Sequence, residues 1–216
     1  MPAPQSRNRQ PPAGVTLGPA TVHGLNPFPL PPPMPTSITT RRGDRGETDL
    51  LLGRRVPKHH PRMQAVGDTD ELNATLGLAR LHVSHAEIRS LIARAQHDLV
   101  AIMGMLSAGP ENEDRYRTTG FATITQTEVD RLTAEAASQE AAFPDGFKGW
   151  STPGASGHHG SAWLEMARCV ARRAERSVSA LAASGQPAPP VVIAWLNRLS
   201  DLLWLCARRE ESDAPA

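Results

Sequence analysis

The chain is short of aromatic rings, cysteine and lysine. Nine aromatics in 216 residues, with a formal charge of +1, do not fit a nucleic-acid binder, which combines a net basic field with stacking rings. Two cysteines, Cys169 and Cys206, are too few for a disulfide framework. Both lie among apolar residues on helical patterns, so buried free thiols and a reducing compartment such as the cytoplasm are expected. No apolar run approaches the roughly 20 residues that a bilayer requires. The longest is Leu99 to Leu106, and no membrane span is expected. Lysine occurs twice against 21 arginines, which favours forked anion contacts wherever arginines cluster. CxxC, HExxH and GxSxG are missing, and the adjacent pairs His59 with His60 and His158 with His159 lack further ligands at helical spacing. Neither a metal centre made of protein ligands nor a serine nucleophile elbow is expected.

Proline is abundant but unevenly spread. Eleven of the 20 fall within the first 35 residues. Residues 1–37 are also rich in Gly, Ser, Asn and Gln and are expected to form a disordered tail, because they lack a periodic apolar face. The prolines oppose an amphipathic targeting helix there, although the first acidic residue is only Asp44. Beyond the tail, prolines leave 62–109, 111–143, 154–186 and 191–214 uninterrupted. Since proline costs about 3 kcal/mol inside a helix, these are the stretches where long helices are permitted.

Periodicity places five helices in them. The first spans about Pro61 to Val83, with Met63, Val66, Leu72, Leu76, Ala79 and Val83 on one face. The second spans Ala86 to Ala108, with a nearly continuous stripe from Ile88 through Leu91, Ile92, Ala95, Leu99, Ile102 and Met103 to Leu106. The third begins near Thr125, which stands three residues before Glu128 as a capping box requires, and continues toward Ala142. The fourth runs from about Ser156 to Ala183, with Trp163, Met166, Val170, Ala174, Val178 and Leu181 as core candidates. The fifth starts at Pro190 and carries Val192, Leu196, Leu199, Leu203 and Cys206 toward Arg209. Short links between five such helices define an all-α, antiparallel, up-and-down five-helix bundle over 38–212. No alternating strand is evident.

Polar residues then concentrate on particular faces. Arg168, Arg172, Arg173 and Arg176 place four guanidinium groups in nine residues, with Glu175 as the only acid among them. Such a run is either a solvated face or an anion site, and its repulsion calls for neutralising anions. The fifth helix carries Asn197, Asp201, Trp204 and Arg208 at steps of four, three and four, and the first carries Asp70, Asn73 and Gly77. Together these stripes are candidates to line one cleft. Upstream, Thr40 to Thr48 reads TRRGDRGET, a glycine-containing loop with amides, hydroxyls and arginines suited to phosphate, and Lys58 follows. The spacing of a Walker loop is absent.

In this order the blocks TRRGDRGET, Lys58 with Pro61 and Arg62, GDTDELN (Gly67 to Asn73), RCVARRAER (Arg168 to Arg176) and WLNRLSDLLWLCAR (Trp195 to Arg208) resemble the propanediol-utilisation type of ATP:corrinoid adenosyltransferases. The resemblance covers about Thr39 to Arg209. It implies a five-helix bundle that assembles as a homotrimer, with active sites between subunits that bind ATP, magnesium and a reduced corrinoid. By that likeness Thr40, Arg41, Gly43, Asp44, Gly46, Thr48 and Lys58 would hold phosphates from one subunit. Arg168, Arg172, Glu175 and Asn197 would complete the site from its neighbour. Asp70 would pair across the interface with Arg168, and Arg172 would contact the triphosphate, so that Arg172, Asp70 and Arg168 form the implied catalytic set. Trp150, three residues before Pro153, matches the apolar residue that occupies the lower face of the corrinoid. The implied partners are a reductase that supplies cobalt(I) and a mutase that receives the product.

The family PGG reads Pro153, Gly154 and Ala155 here, and FGGERV reads LLGRRV, with Leu51, Leu52 and Arg54 in place of Phe, Gly and Glu. The chain also stops soon after Arg209, where many relatives extend further to close the corrinoid pocket. These departures leave open a second reading, a catalytically weak protein of the same fold that binds or delivers ATP or a corrinoid. A third is an oligomeric helical protein whose arginine helix makes only subunit contacts.

Overall fold

The computed structural model describes residues 39–147 and 149–212, so the expected tail over 1–37 lies outside the described residues. A hairpin of β1 (Glu47–Asp49) and β2 (Arg55–Pro57) leads into α1 (Pro61–His82) and α2 (Ala86–Ala108). The short α3 (Glu113–Thr118) precedes α4 (Gln126–Glu140), α5 (His159–Ala183) and α6 (Pro190–Ser212). The five long helices are those read from the apolar period, and Thr125 and Glu128 form the capping box. The fourth of them starts at His159 rather than near Ser156, because Gly157 has a φ of 71° and the His158 side chain caps the first turn by accepting from Ser161 N–H.

The hairpin and α3 go beyond the expected helices. The strands pair antiparallel, with Thr48 opposite Val56, and each is only three residues long, too short for alternation to register in a sequence pattern. In α3 only Tyr116 is buried, which leaves no periodic stripe to read.

Contacts at the ends establish the direction of each helix. At one end Arg62, opening α1, donates from Nη1 to Leu106 O at the close of α2 at 2.8 Å, and from Nη2 to Pro187 O before α6 at 3.2 Å. At the other end Glu210 of α6 accepts from the backbone N–H groups of Ser84 and His85, between α1 and α2, at 2.8 and 3.1 Å. Gln139, late in α4, donates to Glu87 at the start of α2 at 3.2 Å. Gly160, opening α5, lies so close to His82 O that an added Cβ would stand 2.8 Å from it. The long helices therefore run up, down, up, down, up, and α5 is packed between α1 and α6.

Leu72, Leu76, Ile92, Leu99, Ile102, Leu132, Leu164, Val178, Trp195, Leu196 and Leu203 are among the buried residues of the single core. Among the described residues α6 is long and apolar enough to cross a bilayer by composition, but Val192, Leu196, Leu199 and Leu203 are all buried in the bundle. Met166, expected in the core, is 47% exposed. The rotation of α5 turns Glu165 inward instead, at 3% exposure. Asp98 of α2 is also withdrawn from solvent, accepting from Trp195 Nε1 at 3.1 Å and pairing with Arg131. Burial pushes its carboxyl above the usual range, against the pull of Arg131.

Candidate functional site

The glycine loop is shaped by its own turns. Asp44 N–H donates to Arg41 O at 3.3 Å, Gly46 N–H to Gly43 O at 3.1 Å, and Lys58 N–H to Gly46 O at 2.8 Å. Arg41 and Gly46 have φ of 56° and 82°. A Cβ on Gly43 would sit 3.2 Å from both Cε and Nζ of Lys58, so the absence of a side chain at 43 lets the lysine lie across the loop. The exposed Thr40, Arg41, Asp44 and Gly46 and the half-buried Gly43 and Thr48 surround that ammonium group in sequence. Arg55 holds the base of the loop through Glu47 at 3.0 Å and Arg42 O at 2.6 Å. The Glu47 hydrogen bond raises the Arg55 pKa. Arg41, Arg45 and Lys58 make no ion pair among the described residues, which leaves three cations available to an anion.

The departures in LLGRRV are absorbed locally. Leu52 sits in the left-handed region with φ 67°, at a cost of about 1–2 kcal/mol for a residue with a side chain. Arg54 donates to Glu111 at 2.7 Å, and that bond holds the Glu111 carboxyl below its usual range. Leu51 N–H donates to Ser107 Oγ at 2.9 Å, which fastens the hairpin to the end of α2.

On α5 the four arginines separate into two environments. Arg173 faces α1, where it pairs with Glu71 and approaches Asp68 at 3.8 Å. Asp68 is 5% exposed and is held further by Gln64 at 2.8 Å and by Ser177. Arg168 donates from Nε to Glu165 at 2.7 Å. Arg172 and Arg176 make no ion pair among the described residues. These two arginines line a cleft of about 320 Å³ with Glu175, Ser179 and Asn197, in which Asn197 donates to Glu175 at 3.3 Å. A cleft walled by two unneutralised guanidinium groups is suited to an anion with several oxygens.

Arg172 also borders a second hollow of about 670 Å³, shared with Arg168, Trp150, Phe147, Trp204 and Arg198. Phe147 meets Trp204 edge to face at 4.6 Å and Phe143 at 5.0 Å, while Trp150 is 95% exposed at the rim. This groove offers an apolar and aromatic wall next to Arg168 and Arg172, while Glu140 and Asp201 also line it and Asp201 pairs with Arg198, a mixture suited to a large planar ligand with polar edges. One side chain thus joins the anion cleft to the aromatic groove.

The structure brings together Arg172, Glu175 and Asn197, and separately Trp150, Arg168 and Arg172. It also gathers Lys58 with the glycine loop. No hydrogen bond or ion pair joins that loop to the cleft among the described residues; its hairpin is fastened to α2 and α3 instead. Asp70 is exposed and, within one chain, Arg168 pairs with Glu165 rather than with it. The polar stripes of α1 and α6 do not share a cleft. Asn73 and Gly77 face α2, where Gln96 donates to Asn73 O at 3.1 Å and lies 3.6 Å from a Cβ built on Gly77. Of the stripe Asn197, Asp201, Trp204 and Arg208 expected to line a cleft, Asp201 and Trp204 do line this groove; Phe147 and Arg198 were not assigned to the site from sequence.

The site is thus a helical bundle with a cationic cleft beside an aromatic groove, an arrangement suited to a polyanion and a large flat ligand. Residues 38–210 match the family model described as cobalamin adenosyltransferase. A corrinoid adenosyltransferase PduO of Salmonella typhimurium is 34% identical over 181 residues, covering 82% of this chain and 51% of that one. A cobalamin adenosyltransferase of Cupriavidus metallidurans is 35% identical over 174 residues, covering 80% of this chain and 87% of the relative. A solved PduO-type ATP:corrinoid adenosyltransferase variant from Lactobacillus reuteri, complexed with cobalamin and ATP, superposes with a TM-score of 0.72 at 26% identity. That likeness covers 82% of this chain and 91% of the solved one. The chain belongs to the cobalamin adenosyltransferase family. It spans about half the length of the Salmonella typhimurium and Citrobacter freundii relatives.

Proposed function

We propose that the protein transfers the 5′-deoxyadenosyl group of ATP to cobalt(I) of a reduced corrinoid, giving adenosylcobalamin and triphosphate. The observation that carries this reading is Arg172, unpaired and common to the cationic cleft and the aromatic groove. In the reaction the cobalt(I) electron pair attacks C5′, the cobalt–carbon bond forms, and the C5′–O bond breaks as triphosphate leaves with its electrons. The nucleophile needs no general base. The protein's part is to align the two substrates and to stabilise charge on the departing phosphates. Arg172 and Arg176 serve that purpose on the cleft side. Trp150 and Trp204 would cover the corrinoid face and keep water from the metal. Magnesium would arrive with ATP. Among the described residues no cluster of three or more His, Cys, Asp or Glu is placed to hold it alone, and Glu175 is the carboxylate at the cleft available to a phosphate-bound ion.

The active assembly is a homotrimer in this reading, with the glycine loop and Lys58 of one copy closing over the Arg172 cleft of the next. The separation of loop and cleft within one chain, and the exposed carboxylate of Asp70, support it. Asp70 would meet Arg168 of a neighbouring copy. A reductase that generates cobalt(I) and an adenosylcobalamin-dependent mutase are the expected partners, in the cytoplasm. The deciding experiment is anaerobic: full-length protein, chemically reduced cobalamin and magnesium ATP are mixed, and the adenosylcobalamin spectrum and triphosphate are followed. Multiple turnovers are expected. Tight corrinoid binding with no turnover would instead identify a binding or delivery protein.

A further inference from the structure

Arg168, at the edge of the aromatic groove, is anchored from behind. Glu165, one turn earlier on α5 and 3% exposed, accepts from Arg168 Nε at 2.7 Å and, through its other oxygen, from Arg208 Nη2 of α6 at 2.9 Å. The same Nη2 reaches Glu211 at 3.0 Å. Nε and Nη1 of Arg208 are buried without a partner, so its polar anchorage runs through those two carboxylates. Glu211 accepts in turn from Ser161 Oγ at 2.6 Å and from Ser151 Oγ at 3.4 Å, and Ser151 follows Trp150 directly. The Arg208 guanidinium also lies 5.5 Å from the centroid of the Trp204 ring. An alternating chain of Arg168, Glu165, Arg208 and Glu211 therefore runs behind the groove. It touches the arginine at one edge, the tryptophan wall, and the loop that carries Trp150.

We propose that Glu165 is a positioning residue for the corrinoid: it fixes Arg168 by Nε and, through Arg208, fixes Trp204. Engaging Nε leaves both terminal nitrogens of Arg168 without a carboxylate, Nη2 meeting only the Cys169 thiol at 3.6 Å, so that the fork can turn to the ligand or to a neighbouring copy. The two glutamates and two arginines balance in charge, so both oxygens of the buried Glu165 carboxylate face a guanidinium partner. The proposal rests on reading the groove as the corrinoid side of the site. The anion cleft of Arg172, Arg176 and Asn197 has no member of this chain, so its ligand should be insensitive to Glu165.

The test compares wild type with Glu165→Gln, which keeps the shape and removes the charge, and with Glu165→Asp, which keeps the charge and withdraws it. Cobalamin binding is measured by quenching of tryptophan fluorescence, and KM is determined for each substrate. In Glu165→Gln the corrinoid Kd and KM should rise roughly 10-fold or more, the usual consequence of losing an orienting partner. The ATP KM should stay unchanged, and Glu165→Asp should fall between. Equal movement of both substrates' constants, or no movement of either, overturns the proposal. So does loss of the fold in both variants, which would make Glu165 a structural carboxylate. Wild-type protein that binds no cobalamin refutes the reading of the groove itself. Wild-type protein that binds without turnover still decides the role of Glu165 through Kd.

Discussion

Arg172 and Arg173 are neighbours in the chain and opposites in environment. Arg173 belongs to the seam between α1 and α5, where Asp68 and Glu71 answer its charge. Arg172 belongs to the cleft between α5 and α6, with no acid paired to it among the described residues. One helix and one residue type thus build a structural seam on one side and a ligand site on the other. The cause is what the facing helix supplies. Where α1 presents carboxylates, the guanidinium is consumed in packing; where α6 presents Asn197, and its Asp201 pairs with Arg198 instead, Arg172 stays available. A cluster of like charges in a sequence is therefore informative only once its neutralised members are subtracted.

The strongest test of this division is Arg172→Ala. Removing the shared cation should lower adenosylation by roughly 100- to 1000-fold, as for loss of one preorganised charge-stabilising donor, while size-exclusion mass and thermal melting stay at wild-type values. Asp68→Ala should do the converse. It frees Ser177, Gln64 and Arg173 together, and because Arg173 is half solvated the expected loss is about 2 kcal/mol. In a chain of this size that lowers Tm by roughly 4–8 °C, with specific activity of the folded fraction preserved. The paired substitutions Arg176→Ala and Arg173→Ala sharpen the contrast. The first should raise the ATP KM by about 10-fold, the worth of one charged contact, at constant Tm. The second should cost less than about 1 kcal/mol of stability and leave both KM values alone.

The smallest expected effect lies outside both regions, at Asp98 between α2, α4 and α6. Burial raises its pKa above the ordinary 3.8, so the folded state holds this proton more tightly than the unfolded chain. Its contribution to stability is present in acid and is lost as pH rises from 3.8 through the raised value. Denaturant titrations across that range should show a flatter pH dependence in Asp98→Asn than in wild type.

The bundle was legible because long helices bury a repeated face and prolines mark where they stop. The cleft was legible in part, since Arg172, Glu175 and Asn197 stand on two helices whose apolar faces settle their orientation. Glu165 was not, because a charge within a helix reads as solvated unless its partner is known, and Arg208 lies 43 residues away. Which arginines on α5 were free was equally hidden, since it depends on Asp68 and Glu71 across the seam. The hairpin is not legible in the sequence because three-residue strands carry almost no period. Its unusual Leu52 lies where local backbone geometry, rather than residue preference, decides the turn.

Glu210 carries a consequence for how the molecule comes into being. The amides it caps, at Ser84 and His85, precede it by 126 and 125 residues. During synthesis the α1–α2 hairpin is complete long before the group that closes its turn has been made. It must wait with open donors at the N-terminus of α2 until the last turn of α6 leaves the ribosome. Native closure is thus a late, long-range event with a substantial loop entropy to overcome. Until α6 is in place, the α1–α2 turn lacks the carboxylate that satisfies its amides.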